Sequence, residues 1–285
     1  MTTGQISVVA FWFTIVLLAG ATVLYAYHFA TKRSDLARYA TWLTGAAFIT
    51  LTASIGLRSS ATEGTQLTGP NTLVLAAWAL IAVYFIFEHL AKIKIYGVVL
   101  LPVALVLLVT AQLRGVTSGV VATLPPDQAA LLDSWRVGIH VALIVFGSAG
   151  FLVAGAASGT YLVLERQLKK HRTTKLYKRL PSLEQTDLFA RRSVQWAFPA
   201  YTAALLLGII RAVETDVSAW WADIVVILAL VVWGCFGTYL FLRWGRGWAG
   251  RGAAYLALVG AVLVIVLRVV SQVVGGTGRF HIFGL

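Results

Sequence analysis

Of the chain's 285 residues, 59% are hydrophobic and only 12% are charged, and mean hydropathy is +0.83. That excludes a soluble globular domain, in which charged residues run at about 25%. The net charge of +12 is then a membrane-topology signal rather than a nucleic-acid footprint, and no nucleic-acid partner is expected. The single cysteine, Cys235, excludes an intrachain disulfide, and with no Cys-x-x-Cys-His motif the chain is not a c-type cytochrome.

A stretch of roughly 20 apolar residues crosses the hydrocarbon core as a helix, because backbone polar groups in lipid must be satisfied within the segment. Hydropathy predicts eight such helices, at about 6–30, 38–58, 70–91, 95–113, 136–166, 193–213, 219–243 and 252–275. The first lacks the basic flank of a cleaved signal peptide and is expected to stay in the mature protein. The fifth is too long for one crossing, so its last turns should project into solvent. Between the fourth and fifth lies a loop at 114–134 with Pro125-Pro126, room for a short helix.

After the fifth helix comes a basic loop, 167–192, expected at the cytoplasmic side and against anionic lipid. Within it Ser182 precedes Gln185 by three residues, a capping-box pattern that predicts a helix start. Gly155 and Gly159, on one face of the fifth helix, read as close-packing positions.

Seventeen of the 23 Lys and Arg residues fall in the loops after helices 1, 3, 5 and 7. The opposite face holds Arg58, Arg114, Arg136, Arg211, Arg268 and Arg279, balanced by Glu63, Asp127, Asp133, Glu214, Asp216 and Asp223. Basic loops stay inside. The fold expected is therefore an all-α, polytopic integral membrane protein of about eight helices, one transmembrane domain over 1–285, both termini outside. Its expected location is a bacterial-type cytoplasmic membrane.

No hydrolase elbow, phosphate-cradling loop or zinc-spaced cluster is present, so no catalytic residue is assigned. Among five histidines, His28, His89 and His171 fall at inner helix ends or in the basic loop and read as solvated. His140, opening the fifth helix, and His281, in the tail after the eighth, both fall on the outer face. Two imidazoles so placed can ligate a haem iron axially, though on topology alone two interfacial histidines are the plainer reading. Trp220 and Trp221 stand at the outer mouth of the seventh helix, as membrane anchors or as cover for a flat ligand. Asp223, just inside the span, needs a partner or a function. Arg58, Arg211 and Arg268 are the candidate partners, and equally candidate partners for haem propionates.

Four stretches, in order, resemble the cytochrome c assembly family, the haem-handling membrane proteins of the CcsA, CcmC and HemX type. They are "GPNTLVLAAWALIAVYFIFE" followed by "YGVVLLPVALVLL", "IHVALIVFGSAGFLVAGAASGTYLVLERQLK", "LPSLEQTDLFARRSVQWAFP" and "YLFLRWGRGWAGRGAAYLALVG". From the first to the last they span about two-thirds of the chain. The resemblance implies a haem site on the outer face, a Trp-x-Trp-Asp segment flanked by two histidines. His140 and His281 fall on those histidines, the metal ligands, although His281 sits in Arg-Phe-His-Ile-Phe where the family has Gly-Leu-His-Ser-Tyr. Asp223 falls on the motif's aspartate, Trp221 on its preceding tryptophan and Trp233 on a later one.

The chain departs from the family where Ile224 to Leu228 replace the motif's polar residues. It departs again at Phe241, where members that relay haem through the membrane carry a histidine. These departures place it nearest HemX-like members. The resemblance implies non-covalent, b-type haem, held permanently or in transit, and a role in delivering or holding haem for cytochrome c assembly. Implied partners are membrane lipid and other assembly proteins. A HemX-like regulator of tetrapyrrole synthesis, meeting a cytosolic enzyme of that pathway, is an alternative. A structural or electron-transfer subunit of a membrane redox complex is another.

Overall fold

The computed structural model describes residues 2–31, 33–62, 71–91, 93–117, 135–170, 180–215 and 219–273. Among them are eight α-helices, one short 3-10 turn and no strand. In chain order the helices are α1 (Thr3–Thr31), α2 (Ser34–Thr62), α3 (Asn71–Ala91), α4 (Gly97–Leu113), α5 (Trp135–Lys169), α6 (Leu183–Glu214), α7 (Ile224–Gly245) and α8 (Arg251–Val273). Seven are long and apolar enough to cross a membrane, and α4, at 17 residues, is shorter. The chain is a multi-pass, all-helical membrane protein.

Most helix bounds lie within a few residues of expectation, and two differences have a clear cause. Helix α6 begins ten residues before the predicted span because the capping box forms. The Ser182 hydroxyl accepts the Gln185 N–H at 3.2 Å, and the Gln185 side chain accepts the Ser182 N–H at 3.2 Å. Two otherwise orphaned backbone donors are thereby satisfied, and a polar helical lead-in continues without a break into the apolar span. Helix α7 begins at Ile224 rather than 219, since Asp223 caps it and Trp220–Ala222 form a 3-10 turn. Helix α5, at 35 residues, is roughly 50 Å long, against a hydrocarbon core of about 30 Å. The Pro125-Pro126 segment and the middle of the basic loop lie outside the described residues.

The described residues group into two units, 1–134 and 135–285. In the first, α1 buries Ser7, Phe11, Thr14, Leu18, Ala21 and Tyr25, a 4-3-4-3 spacing that keeps one seam facing a partner helix. Helix α2 answers with Ala37, Ala40, Thr44, Ala47, Leu51 and Ser54. Hydrogen bonds fix the two as antiparallel: Ser54 to the Ser7 carbonyl at 2.9 Å, Thr14 to Thr50 at 2.8 Å, and Tyr25 to Thr41 at 3.1 Å. At the far end of this seam α3 inserts Glu88, 3% exposed. Its carboxylate accepts the Tyr25 hydroxyl at 2.7 Å and the Thr41 hydroxyl at 2.6 Å, with Lys94 at 4.0 Å. One buried carboxylate thus ties α1, α2, α3 and the segment leading into α4.

The second unit is four antiparallel helices, each packed on its sequence neighbour and α8 also on α5. Small residues let the backbones approach, as van der Waals packing in lipid requires. A Cβ at Gly147 would stand 2.9 Å from the Tyr201 Cβ and 3.1 Å from its backbone nitrogen, and one at Gly150 would stand 2.7 Å from the Ala197 Cβ. Gly155 likewise abuts Ala261, whereas Gly159 makes only ordinary contact with Leu258. At the centre Phe151 of α5 stacks on Phe236 of α7, centroids 3.7 Å apart. One end of this unit is tied by Asp187–Arg243 and by Glu165, which meets Lys169 at 2.7 Å and Arg251 at 3.9 Å.

Candidate functional site

The opposite end of the second unit gathers the first turns of α5, the last turns of α6, the start of α7 and the last turns of α8. Antiparallel register puts them together, with Arg136 of α5 in an ion pair with Glu214 of α6. His140 sits one turn deeper and is half-buried. Its Nδ1 lies 2.7 Å from the backbone carbonyl of Ala204. A carbonyl oxygen can only accept, so Nδ1 carries the hydrogen, and in the neutral ring Nε2 carries the lone pair. The ring lies directly against Gly208, where a Cβ would come within 2.9 Å of His140 Cε1 and 3.2 Å of Nδ1.

Ala219, with φ +55°, turns the chain into the 3-10 turn that presents the tryptophans. This is the left-handed region that L-residues enter at a cost. Trp220 and Trp221 pack edge to face, centroids 6.1 Å apart, with Trp221 63% exposed. Asp223 is only 2% exposed, and its Oδ1 accepts the Val225 N–H at 2.8 Å. Its carboxylate therefore closes the N-terminus of α7 and holds the turn bearing both tryptophans. The partner expected for Asp223 is in part the backbone of its own helix.

Trp233 stands about three turns further along α7. Its Nε1 donates to the Thr202 hydroxyl at 3.0 Å and its ring stacks on Phe198 at 5.8 Å. Thr202 precedes by two residues the carbonyl that holds His140, so Trp233 reaches the same stretch of α6 from a deeper level. Arg211, one turn before the end of α6, lies 3.8 Å from Glu214. Arg268 is half-buried in the last two turns of α8. Arg58 belongs to the first unit, where it donates to Asn71 at 3.2 Å beside a small pocket lined by Phe11, Ser54 and Val74. His281 lies outside the described residues.

The structure thus gathers His140, Trp220, Trp221, Asp223, Arg211 and Arg268 at one end of one unit, with Trp233 deeper. No group of three or more metal-ligating side chains occurs among the described residues. Three site features went unread in the sequence. They are the Ala204 carbonyl, Gly208, and the Arg136–Glu214 pair, which adds a third guanidinium at this end. Gly208 was visible as a lone glycine inside Leu205-Leu206-Leu207-Gly208-Ile209-Ile210, a place where glycine costs about 1 kcal/mol relative to alanine. A backbone carbonyl as histidine partner leaves no mark on sequence.

The donor set is compatible with a haem. A neutral imidazole with its lone pair on Nε2 matches an axial ligand, aromatic faces stand nearby, and among the described residues at this end Arg136, Arg211 and Arg268 outnumber the acids Glu214 and Asp223.

The family described as "Cytochrome C assembly protein" matches residues 68–277. The "Cytochrome c biogenesis protein CcsA" of Microcystis aeruginosa (strain NIES-843) is 26% identical over 238 residues, spanning 68% of this chain and 72% of that protein. The protein of the same name from Prochlorococcus marinus (strain MIT 9313) is 27% identical over 230 residues, 72% of this chain and 71% of its own. That of Guillardia theta is 25% identical over 216 residues, 68% of each.

Proposed function

Because the chain belongs to the cytochrome c assembly family, we propose that it binds haem as cargo at the outer face of the membrane and holds or delivers it for attachment to cytochrome c. The observation that carries this reading is the tautomer of His140. Its Nδ1–H is committed to the Ala204 carbonyl, which makes Nε2 the nitrogen that can donate to iron. Haem supplies an iron with two axial positions, two flat faces and two propionates. His140 and His281 take the axial positions. Trp220 and Trp221 cover the porphyrin, with Trp233 closing the apolar floor beneath them.

Guanidinium groups of Arg211 and Arg268 meet the propionates through charge-assisted forks. Asp223 acts through the turn it caps. The haem is read as b-type, and as non-covalent because no Cys-x-x-Cys-His motif exists to bond vinyl groups. The partners are other cytochrome c assembly proteins that take the haem onward, with the basic inner loop resting on anionic lipid of a bacterial-type cytoplasmic membrane.

The test is the absorption spectrum of the purified protein, as isolated and after added haem, beside the His140→Ala and His281→Ala variants. A Soret band in wild type that is lost or shifted in both variants is expected. No Soret band in wild type, even with haem added, overturns the reading.

A further inference from the structure

We propose that Gly208 and the Ala204 carbonyl are the positioning elements of His140, selecting which ring nitrogen meets a ligand and where the ring stands. This rests on the reading of His140 as a haem ligand but can be tested separately from it. Residues 204 and 208 are i and i+4 on α6, stacked one above the other on the same face. Helical geometry aims the Ala204 carbonyl along the axis towards residue 208, so a ring bonded to that carbonyl must lie across position 208. Any side chain there would occupy the ring's own space, as the 2.9 Å and 3.2 Å approaches to Cε1 and Nδ1 state. Acceptor and clearance are therefore supplied by a single helical turn.

The alternative is that Gly208 serves only to let α5 and α6 pack. Gly147 and Gly150 do that in the same interface, and there the would-be Cβ meets backbone atoms or a Cβ of α6. At Gly208 all three nearest atoms belong to the imidazole. The chemical consequence also differs. An Nδ1–H bonded to a carbonyl fixes the tautomer and raises the basicity of Nε2, and loss of such a partner typically weakens metal binding about 10–100-fold.

The experiment has two arms. In the first, without haem, ring-nitrogen NMR on 15N-histidine-labelled protein identifies the His140 tautomer, assigned by the signals missing in His140→Ala. Wild type should show Nδ1 protonated and Nε2 unprotonated, and Gly208→Ala should move His140 towards a mixture of tautomers. In the second, haem titration and redox potentiometry compare wild type with Gly208→Ala and with Leu206→Ala, a control on the exposed side of the same turn. Gly208→Ala should lower haem affinity about 10–100-fold and raise the midpoint potential, with Leu206→Ala like wild type.

Should Gly208→Ala fold poorly, the wild-type tautomer still decides. His140 protonated on Nε2 in wild type overturns the proposal, as does a folded Gly208→Ala with unchanged nitrogen shifts, affinity and potential. A protein with the expected tautomer but no haem binding would instead defeat the haem reading while supporting the positioning of the ring.

Discussion

The α5–α6 interface offers a quantitative test, since it both holds the second unit together and carries His140 against Ala204. At Gly150 an added Cβ would stand 2.7 Å from the Ala197 Cβ. Two methyl-sized groups are comfortable at about 3.5–4.0 Å, so the helices must separate by roughly 1 Å. Neither partner can rotate away, because both are Cβ atoms fixed to helical backbone. Overpacking of this kind costs about 1–3 kcal/mol. Gly150→Ala should therefore destabilise the protein by that amount in an SDS or thermal unfolding series in detergent.

Gly138→Ala, on the same helix with nothing within 4 Å of the added Cβ, should instead be neutral or stabilising by up to about 1 kcal/mol from helix propensity. Shaving the partner, Ala197→Gly, should cost less in the Gly150→Ala background than in wild type, a non-additive pair as expected for groups in direct contact. Equal stability of Gly150→Ala and Gly138→Ala would refute the packing argument. So would an equal cost of Ala197→Gly in the two backgrounds. Since Gly150 lies on the helix that carries His140, the ring-nitrogen signals in Gly150→Ala report whether the separation propagates along the interface.

In the first unit, Glu88→Ala should cost about 1–3 kcal/mol in the same unfolding series, because it removes the acceptor shared by the Tyr25 and Thr41 hydroxyls and leaves a buried gap. Glu88→Gln, which keeps the acceptor and the shape, should cost markedly less. At the mouth of α7, Asp223→Ala should lose about 1 kcal/mol of capping energy and reduce haem affinity, whereas Asp223→Asn and Asp223→Ser should retain both. Haem binding lost equally in Asp223→Asn would assign the carboxylate's charge, not its cap, as the contribution.

Hydropathy and charge alone determined the class of this protein. Backbone hydrogen bonds in lipid have no partner but the segment itself, so eight apolar runs had to be eight helices, and the Ser182–Gln185 box marked where α6 starts. The Gly155 contact was legible for a related reason, since small residues in lipid mark close approach. Gly159, at the same spacing, turned out to be in ordinary contact, because the crossing of α5 and α8 brings only one of the pair to the point of closest approach.

For the site, His140, Trp220, Trp221 and Asp223 were legible as an unusual set of residue types at one end of their helices. Only the tertiary structure decided how they are used. It directed Asp223 into the cap of α7 and placed Trp233 three turns deeper. It put Arg58 in the other unit, and it gave His140 a backbone carbonyl and a glycine for partners. A sequence records side chains and their periodicity. Which carbonyl a ring nitrogen meets depends on the register between two helices, here between residues 64 apart along the chain, and that register is set by packing.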